Sequence, residues 1–220
     1  MPNKRQIVFA NGEFYHIFNR SNAGQPIFTK KKEIERALDL LSYYKSAQKM
    51  RYSFFARMNT ERKEEYLNNK DNTFLVEIYA YALMPNHFHL LLKQITEKGI
   101  QTFLSNFQNS FARYFNTKNN RYGSLFQRPF KAKHIDSNEE FMHVSRYIHL
   151  NPITAFILEP NELEKSNITS FQDYLSGKSK IVNVNFINNI IGTRKRYKEF
   201  VLNRADYQRE LANIKHILIE

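Results

Sequence analysis

Apolar positions along the chain fall into two periodicities. Residues 13–20 (EFYHIFNR) alternate, with Phe14, His16 and Phe18 on one face and Tyr15, Ile17 and Asn19 on the other, which is the two-residue period of a strand. Residues 74–83 (FLVEIYAYAL) are a nearly unbroken apolar run with β-branched and aromatic members and predict a central strand. Met84-Pro85-Asn86 is a turn, and residues 87–93 (HFHLLLK) return from it as the second arm of a hairpin. A helical period takes over elsewhere. Ile34, Leu38, Leu41 and Tyr44 share a stripe that predicts a helix from a Thr29 cap to about Met50. Phe103, Phe107, Phe111 and Tyr114 mark a helix over 100–118, ended by Asn119, Asn120 and Gly123.

Between these segments, residues 51–72 are polar and charged and predict a surface excursion with some helix. Residues 129–134 suggest a further strand. Ser137 is an N-cap with Glu140 completing a capping box, and the helix it opens is expected to stop near Leu150, because Pro152 pushes the residue before it out of the helical region. Residues 153–180 are mixed, and the tail predicts one or two helices. No internal repeat or Gly/Ser linker appears. The order strand, helix, hairpin, helix, strand, helix implies an α+β fold: a ferredoxin-like antiparallel sheet with helices packed on one face. The expected organisation is one domain over residues 1–180 and a C-terminal helical extension over 181–220.

Charge adds a partner to this picture. Lys plus Arg number 33 against 21 Asp plus Glu, a formal net charge of +12, and such an excess points to a polyanion, whose counterions are released on binding. The absence of cysteine excludes disulfides and thiolate metal sites. A bound metal would be held by His, Asp, Glu, Asn or Gln, which suits a hard or borderline cation such as Mg²⁺ or Mn²⁺. No apolar run has the length of a signal peptide or of a membrane span, so no membrane partner is expected and the cytoplasm is the default location. Of the 19 Phe and 13 Tyr, the phenylalanines are expected in the core, while tyrosines can also stack on bases.

Two constellations carry candidate chemistry. On a strand His87 and His89 point to one face, about 6.5–7 Å apart at Cβ, and Phe88 points to the other. Both imidazoles can converge on one cation, although a His-x-His tripeptide by itself is more often an ordinary strand surface. On the last predicted helix His143, Tyr147 and Asn151 follow one another at i, i+4 and i+8, beside the apolar stripe of Phe141, Val144 and Ile148. Tyr147 thus borders the buried face, where a tyrosine commonly only tethers its hydroxyl.

The segment YALMPNHFHLLLK resembles the histidine–hydrophobic–histidine motif of the HUH endonucleases, and more narrowly the single-tyrosine (IS200-like) transposases and the REP-associated tyrosine transposases. FYHIFNRSNAGQPIF is similar to the first strand and loop of that family, YGSLFQRPFKAKHI to the region before its last helix, and RYIHLNPITAF to its tyrosine-bearing helix end. The resemblance covers roughly residues 13–175. It implies a divalent cation (Mg²⁺ or Mn²⁺) on His87 and His89, completed by Asn151, with Tyr147 as nucleophile. It also implies a hairpin-containing single-stranded DNA substrate and a covalent 5′-phosphotyrosine intermediate. The family includes dimers with sites shared between chains, so a homodimer is an open alternative to a monomer.

Several residues remain to be placed. Asn151 has a second reading as a cap of its own helix end. His16 can face the metal side, with a packed strand residue as the expected reading; His143 is either a general base or, as expected, a solvent-exposed residue; His149 is expected at the surface. Tyr114, a rival nucleophile, extends an apolar stripe and is expected in the core. Arg113, Lys118, Arg121 and Arg128 are candidate phosphate contacts, and Asn19, Arg20 and Lys131 are further DNA-binding candidates. Lys30, Lys31 and Lys32 form either another phosphate contact or a solvated helix start, and Tyr15 and Tyr122 are possible base-stacking residues. The competing functional readings are a non-catalytic single-strand-binding module of the same fold and a nuclease that uses water as nucleophile.

Overall fold

The computed structural model describes residues 7–69 and 73–203. Four strands, β1 (Phe14–Arg20), β2 (Val76–Met84), β3 (His87–Gln94) and β4 (Lys131–Ile135), form one antiparallel sheet in the order β2-β3-β1-β4. The helices are α1 (Lys31–Tyr44), α2 (Tyr52–Phe55), α3 (Thr60–Asn69), α4 (Gly99–Lys118), α5 (Asn138–Thr154), α6 (Phe171–Ser176), α7 (Asn185–Ile191) and α8 (Arg194–Leu202). The sequence β1-α1-β2-β3-α4-β4, with β1 and β3 in the middle of the sheet, is the ferredoxin-like arrangement. None of the described helices is long and apolar enough to cross a membrane.

Strand alternation divides the protein into layers. Phe88 points to the α4 side, where its ring meets Phe107 at 5.3 Å and Phe126 at 5.8 Å. Phe28 packs on Phe111 at 4.8 Å, and α1 lies against α4. This is the expected single helical layer, and it holds for α1 and α4. The helix α5 occupies the opposite face instead: Phe14 of β1, Tyr79 of β2 and Phe141 of α5 form one edge-to-face cluster at 5.0–5.3 Å. Phe186 of α7 closes that cluster at 4.9 Å from Phe141. A sheet apolar on both faces needs cover on both.

Three expectations are corrected. β2 is an edge strand in the ladder rather than a central one, and its outer edge is masked by returning chain: Leu83 N donates to Ile168 O, Ser170 N to Tyr81 O and Asn183 N to Ile78 O. It therefore carries the apolar composition of a buried strand while standing at the end of the sheet. Helix α1 stops at Tyr44, short of Met50, because Ala47 N turns to pair with Thr73 O and Leu75 N with Lys45 O. Helix α5 runs through Pro152 to Thr154. The proline removes one N–H, but Ala155 N still bonds Asn151 O at 2.9 Å and Thr154 Oγ1 bonds Leu150 O at 3.0 Å. Buried Pro152 and Ile153 hold that last turn in the core. At its start Ser137 Oγ accepts from Glu140 N as expected, while the Glu140 carboxylate reaches Asp136 N rather than the cap itself.

Helix α5 is fixed by a buried polar network. His149, expected at the surface, is fully buried. Its Nε2 lies 2.8 Å from Ser170 Oγ and its Nδ1 2.9 Å from Tyr197 Oη. Tyr197 Oη also donates to Ser145 Oγ at 3.2 Å, and Ser170 Oγ accepts from Tyr81 N at 3.0 Å. The network ties α5 to β2, to the start of α6 and to α8. The described part of the C-terminal extension thus packs on α5; residues 204–220 of it lie outside the described residues.

Burial lowers the pKa of His149 to about 3, below the value of about 6.5 in the unfolded chain. Protons therefore bind the unfolded state first, and stability falls as pH drops from about 6.5 toward 3, by at most about 1.4 kcal/mol per pH unit for this one group. Urea unfolding across that range should show His149→Gln with a slope shallower than wild type by up to one proton. Tyr197→Phe leaves Ser145 and His149 short of a buried partner and should cost about 1–3 kcal/mol in thermal or urea unfolding. Tyr122→Phe, at a side chain 93% exposed, should change stability by less than about 0.5 kcal/mol.

Candidate active site

The pleat of β3 sets the site. His87 and His89 leave the sheet on the α5 face, and antiparallel pairing with β1 sets Arg20 opposite His87 and Phe18 opposite His89. A cleft of about 340 Å³ opens there. Its walls are His87 and His89 from β3, Phe18, Asn19 and Arg20 from β1, Gln127, Pro129 and Lys131 from the segment entering β4, and Tyr147 from α5.

The imidazoles are held at their Nδ1 atoms. His87 Nδ1 is 2.7 Å from Asn86 Oδ1, within the hairpin turn. His89 Nδ1 is 2.9 Å from Nε2 of His16, one strand over. The rings of His87 and His89 stand 5.1 Å apart. Burial, reinforced by the Arg20 charge, lowers the His87 pKa to about 4. Burial, then the neighbouring His16 and His87, lowers His89 to about 3, and burial followed by Lys133 lowers His16 to about 4. All three are neutral at neutral pH, the form in which imidazole offers a lone pair to a metal. Two neutral imidazoles, each engaged at Nδ1, are a donor set fit for a divalent cation. Among the described residues no group of three or more His, Asp or Glu converges as a ready cage.

Tyr147 meets this cluster from the helix side. Its ring is edge-on to His89 at 5.7 Å and to His16 at 5.9 Å. The side chain is 43% exposed, unlike a tyrosine tethered in the core. Asn151 does not line the cleft; its Nδ2 donates to Tyr147 O at 3.1 Å within the helix.

The cationic candidates separate into two groups. Arg20 and Lys131 line the cleft, with Lys131 Nζ 5.9 Å from the Phe18 ring. Arg128 is exposed beside the cis peptide to Pro129, between the cleft-lining Gln127 and Pro129, and itself lines the neighbouring groove over α4. Arg113 is exposed on α4. Lys118 pairs with the buried carboxylate of Glu33 at 3.4 Å, joining α4 to α1. Arg121 braces its own loop through Asn116 Oδ1 at 3.0 Å and Ser124 O at 2.9 Å. Asn19 borders the cleft, but its buried amide donates to Gln108 Oε1 at 2.8 Å and Gln127 O at 3.0 Å. The structure thus brings His87, His89, Tyr147, Arg20 and Lys131 together and leaves Arg113, Lys118 and Arg121 outside.

Other aromatic and histidine positions sort by burial. Tyr114 sits in the α1–α4 layer, its hydroxyl donating to Lys32 O at 3.3 Å and its ring under Arg36 at 4.8 Å. It is on the wrong side of the sheet for the imidazoles. Tyr15 is buried, and its hydroxyl accepts from Ala10 N, so it offers no face for stacking. His143 is exposed, next to Arg146 at 2.8 Å. Sequence reasoning read His16 as a packed strand residue with the metal side as its alternative, and it missed Asn86. The alternation of β1 already put His16 on the Phe14–Phe18 face, but the neighbour it would meet depends on β1 pairing with β3 in this register.

Comparison with known proteins bears on the family and the fold. The family described as transposase IS200 like matches residues 43–151, a segment that holds His87, His89 and Tyr147. Among solved structures, the chain is similar to a REP-associated tyrosine transposase bound to a REP hairpin, at TM-score 0.57 and 11% identity over 83% of this chain and 93% of that one; at that identity the likeness is one of fold. A Deinococcus radiodurans protein described as a transposase aligns at TM-score 0.37 and 16% identity over 67% of this chain and 95% of its own, too loosely to carry an argument. No protein of curated function matches the sequence. On that family match, the chain belongs to the IS200-like transposase family.

Proposed function

We propose that this transposase is a single-strand DNA transesterase with Tyr147 as nucleophile. The phenol oxygen bonds to the scissile phosphorus, the bond from phosphorus to the 3′ oxygen breaks, and the phenolic proton is passed on as a 3′-hydroxyl is released. The product is a 5′-phosphotyrosine, which keeps the phosphodiester energy for a later joining step. The observation that carries this reading is the position of a half-exposed tyrosine ring 5.7 Å from His89 across one cleft of one chain.

His87 and His89 would hold a divalent cation, Mg²⁺ or Mn²⁺. Such an ion supplies polarisation of the non-bridging phosphate oxygens and helps align the phosphate for in-line attack. Arg20 and Lys131 would hold phosphates on either side of the scissile one, with Arg128 at the rim. Asn151 does not line the cleft, so we assign the first hold to the imidazoles alone. His87, His89 and Tyr147 line one cleft of one chain, so the proposed chemistry can run within a single copy. We assign it to residues 1–180, with 181–220 as an extension whose described helices brace α5. The substrate we propose is single-stranded DNA containing a hairpin, in keeping with the chain's +12 charge and with the REP hairpin bound by the neighbour of similar fold.

The test uses a labelled single-stranded hairpin oligonucleotide with Mn²⁺ and a denaturing gel. Wild type should give a covalent protein–DNA band, and Tyr147→Phe should lower its yield at least about a thousandfold while keeping hairpin affinity in metal-free buffer. A wild type that binds the hairpin and never nicks it would leave a non-catalytic binding module. Nicking without any covalent band would point to water as nucleophile.

A further inference from the structure

The His16–His89 contact has a consequence for the direction of lone pairs. Both rings are buried, at 8% and 6% exposure, and lie within 22° of one plane with His16 Nε2 2.9 Å from His89 Nδ1. Water cannot substitute for either partner, so the contact must hold one proton between two nitrogens. A neutral imidazole carries a single N–H. If the shared proton belongs to His16, the only proton of His89 sits on its Nε2, and no lone pair is left for a cation. If it belongs to His89 Nδ1, the Nε2 lone pair is free. His87 shows the second arrangement: its Nδ1 faces Asn86 Oδ1 at 2.7 Å, and an amide oxygen can only accept. The two histidines of the motif then match, each proton on Nδ1 and each lone pair on Nε2.

We infer that His16 is a positioning residue that accepts the Nδ1 proton of His89 and thereby holds the Nε2 lone pair ready for a cation. The inference rests on the reading of His89 as a cation ligand. It gives a first-strand histidine the role that a carboxylate or carbonyl plays behind many metal-bound imidazoles, where losing such a partner weakens metal binding about 10- to 100-fold.

Two substitutions and one spectrum test it. His16→Gln keeps an acceptor at this position, and His16→Leu removes it. Free Mn²⁺ measured by electron paramagnetic resonance should show His16→Leu weakened about 10- to 100-fold, with His16→Gln recovering most of the loss. Hairpin affinity in metal-free buffer should stay unchanged in both. Long-range ¹H–¹⁵N spectra of the metal-free wild type should show His89 protonated at Nδ1. Finding it protonated at Nε2 overturns the inference, as does Mn²⁺ affinity that is unchanged in His16→Leu or falls equally in both variants. A wild type that binds no Mn²⁺ defeats the metal reading itself, and the His89 spectrum then still decides the tautomer. Should His16→Leu fail to fold, the wild-type spectrum is decisive alone.

Discussion

The alternation of a single strand carries the site. On β3, Phe88 must go down into the rings of Phe107 and Phe126, which obliges His87 and His89 to go up. Shifting β3 by one residue would bury both imidazoles under α4 and expose Phe88, and the apolar cost of that exchange is what locks the register. Because β3 is flanked by β2 and β1, neither side of the strand is free to slide. The cleft, the imidazole spacing and the ring-to-ring approach of Tyr147 all follow from this one constraint. A site on a central strand is also held more rigidly than one on a loop.

The second half of the site is brought by α5, which is gripped at two places. Phe141 enters the cluster of Phe14, Tyr79 and Phe186, while His149 and Ser145 are tied to Ser170 and Tyr197. Tyr147 lies between these anchors and remains half exposed. A rigid helix thus presents a phenol whose ring position is determined by packing on both sides of it, not by its own burial.

Electrostatically the site is a neutral patch in a basic chain. Burial keeps three imidazoles uncharged, while Arg20 and Lys131 place positive charge at the rim. Cations at the rim can attract a phosphate backbone, and neutral nitrogen donors at the centre can accept a metal without repelling it. Had the histidines been exposed and partly protonated, these two tasks would conflict. The same desolvation makes the protein sensitive to acid.

Local pattern was enough for much of this. The strands were legible to within about two residues of their ends, because alternation and the Met84-Pro85-Asn86 turn are written in adjacent positions. So were the shared face of His87 and His89, the direction of Phe88, the packing of half-buried Tyr114 against the core and the family likeness around YALMPNHFHLLLK. What escaped was every feature that depends on which element comes to lie alongside. His16 had a known face but no known neighbour until β1 paired with β3. His149 fell off the apolar stripe of its helix, yet α6 and α8 cover that side too. Lys118 and Arg121 resembled phosphate contacts but are taken up by Glu33 and by a loop, and Pro152 was tolerated because Ile153 is buried. Periodicity records the direction in which a side chain leaves the backbone. The group it meets is decided by strand order and by the layers that burial forces onto both faces of the sheet.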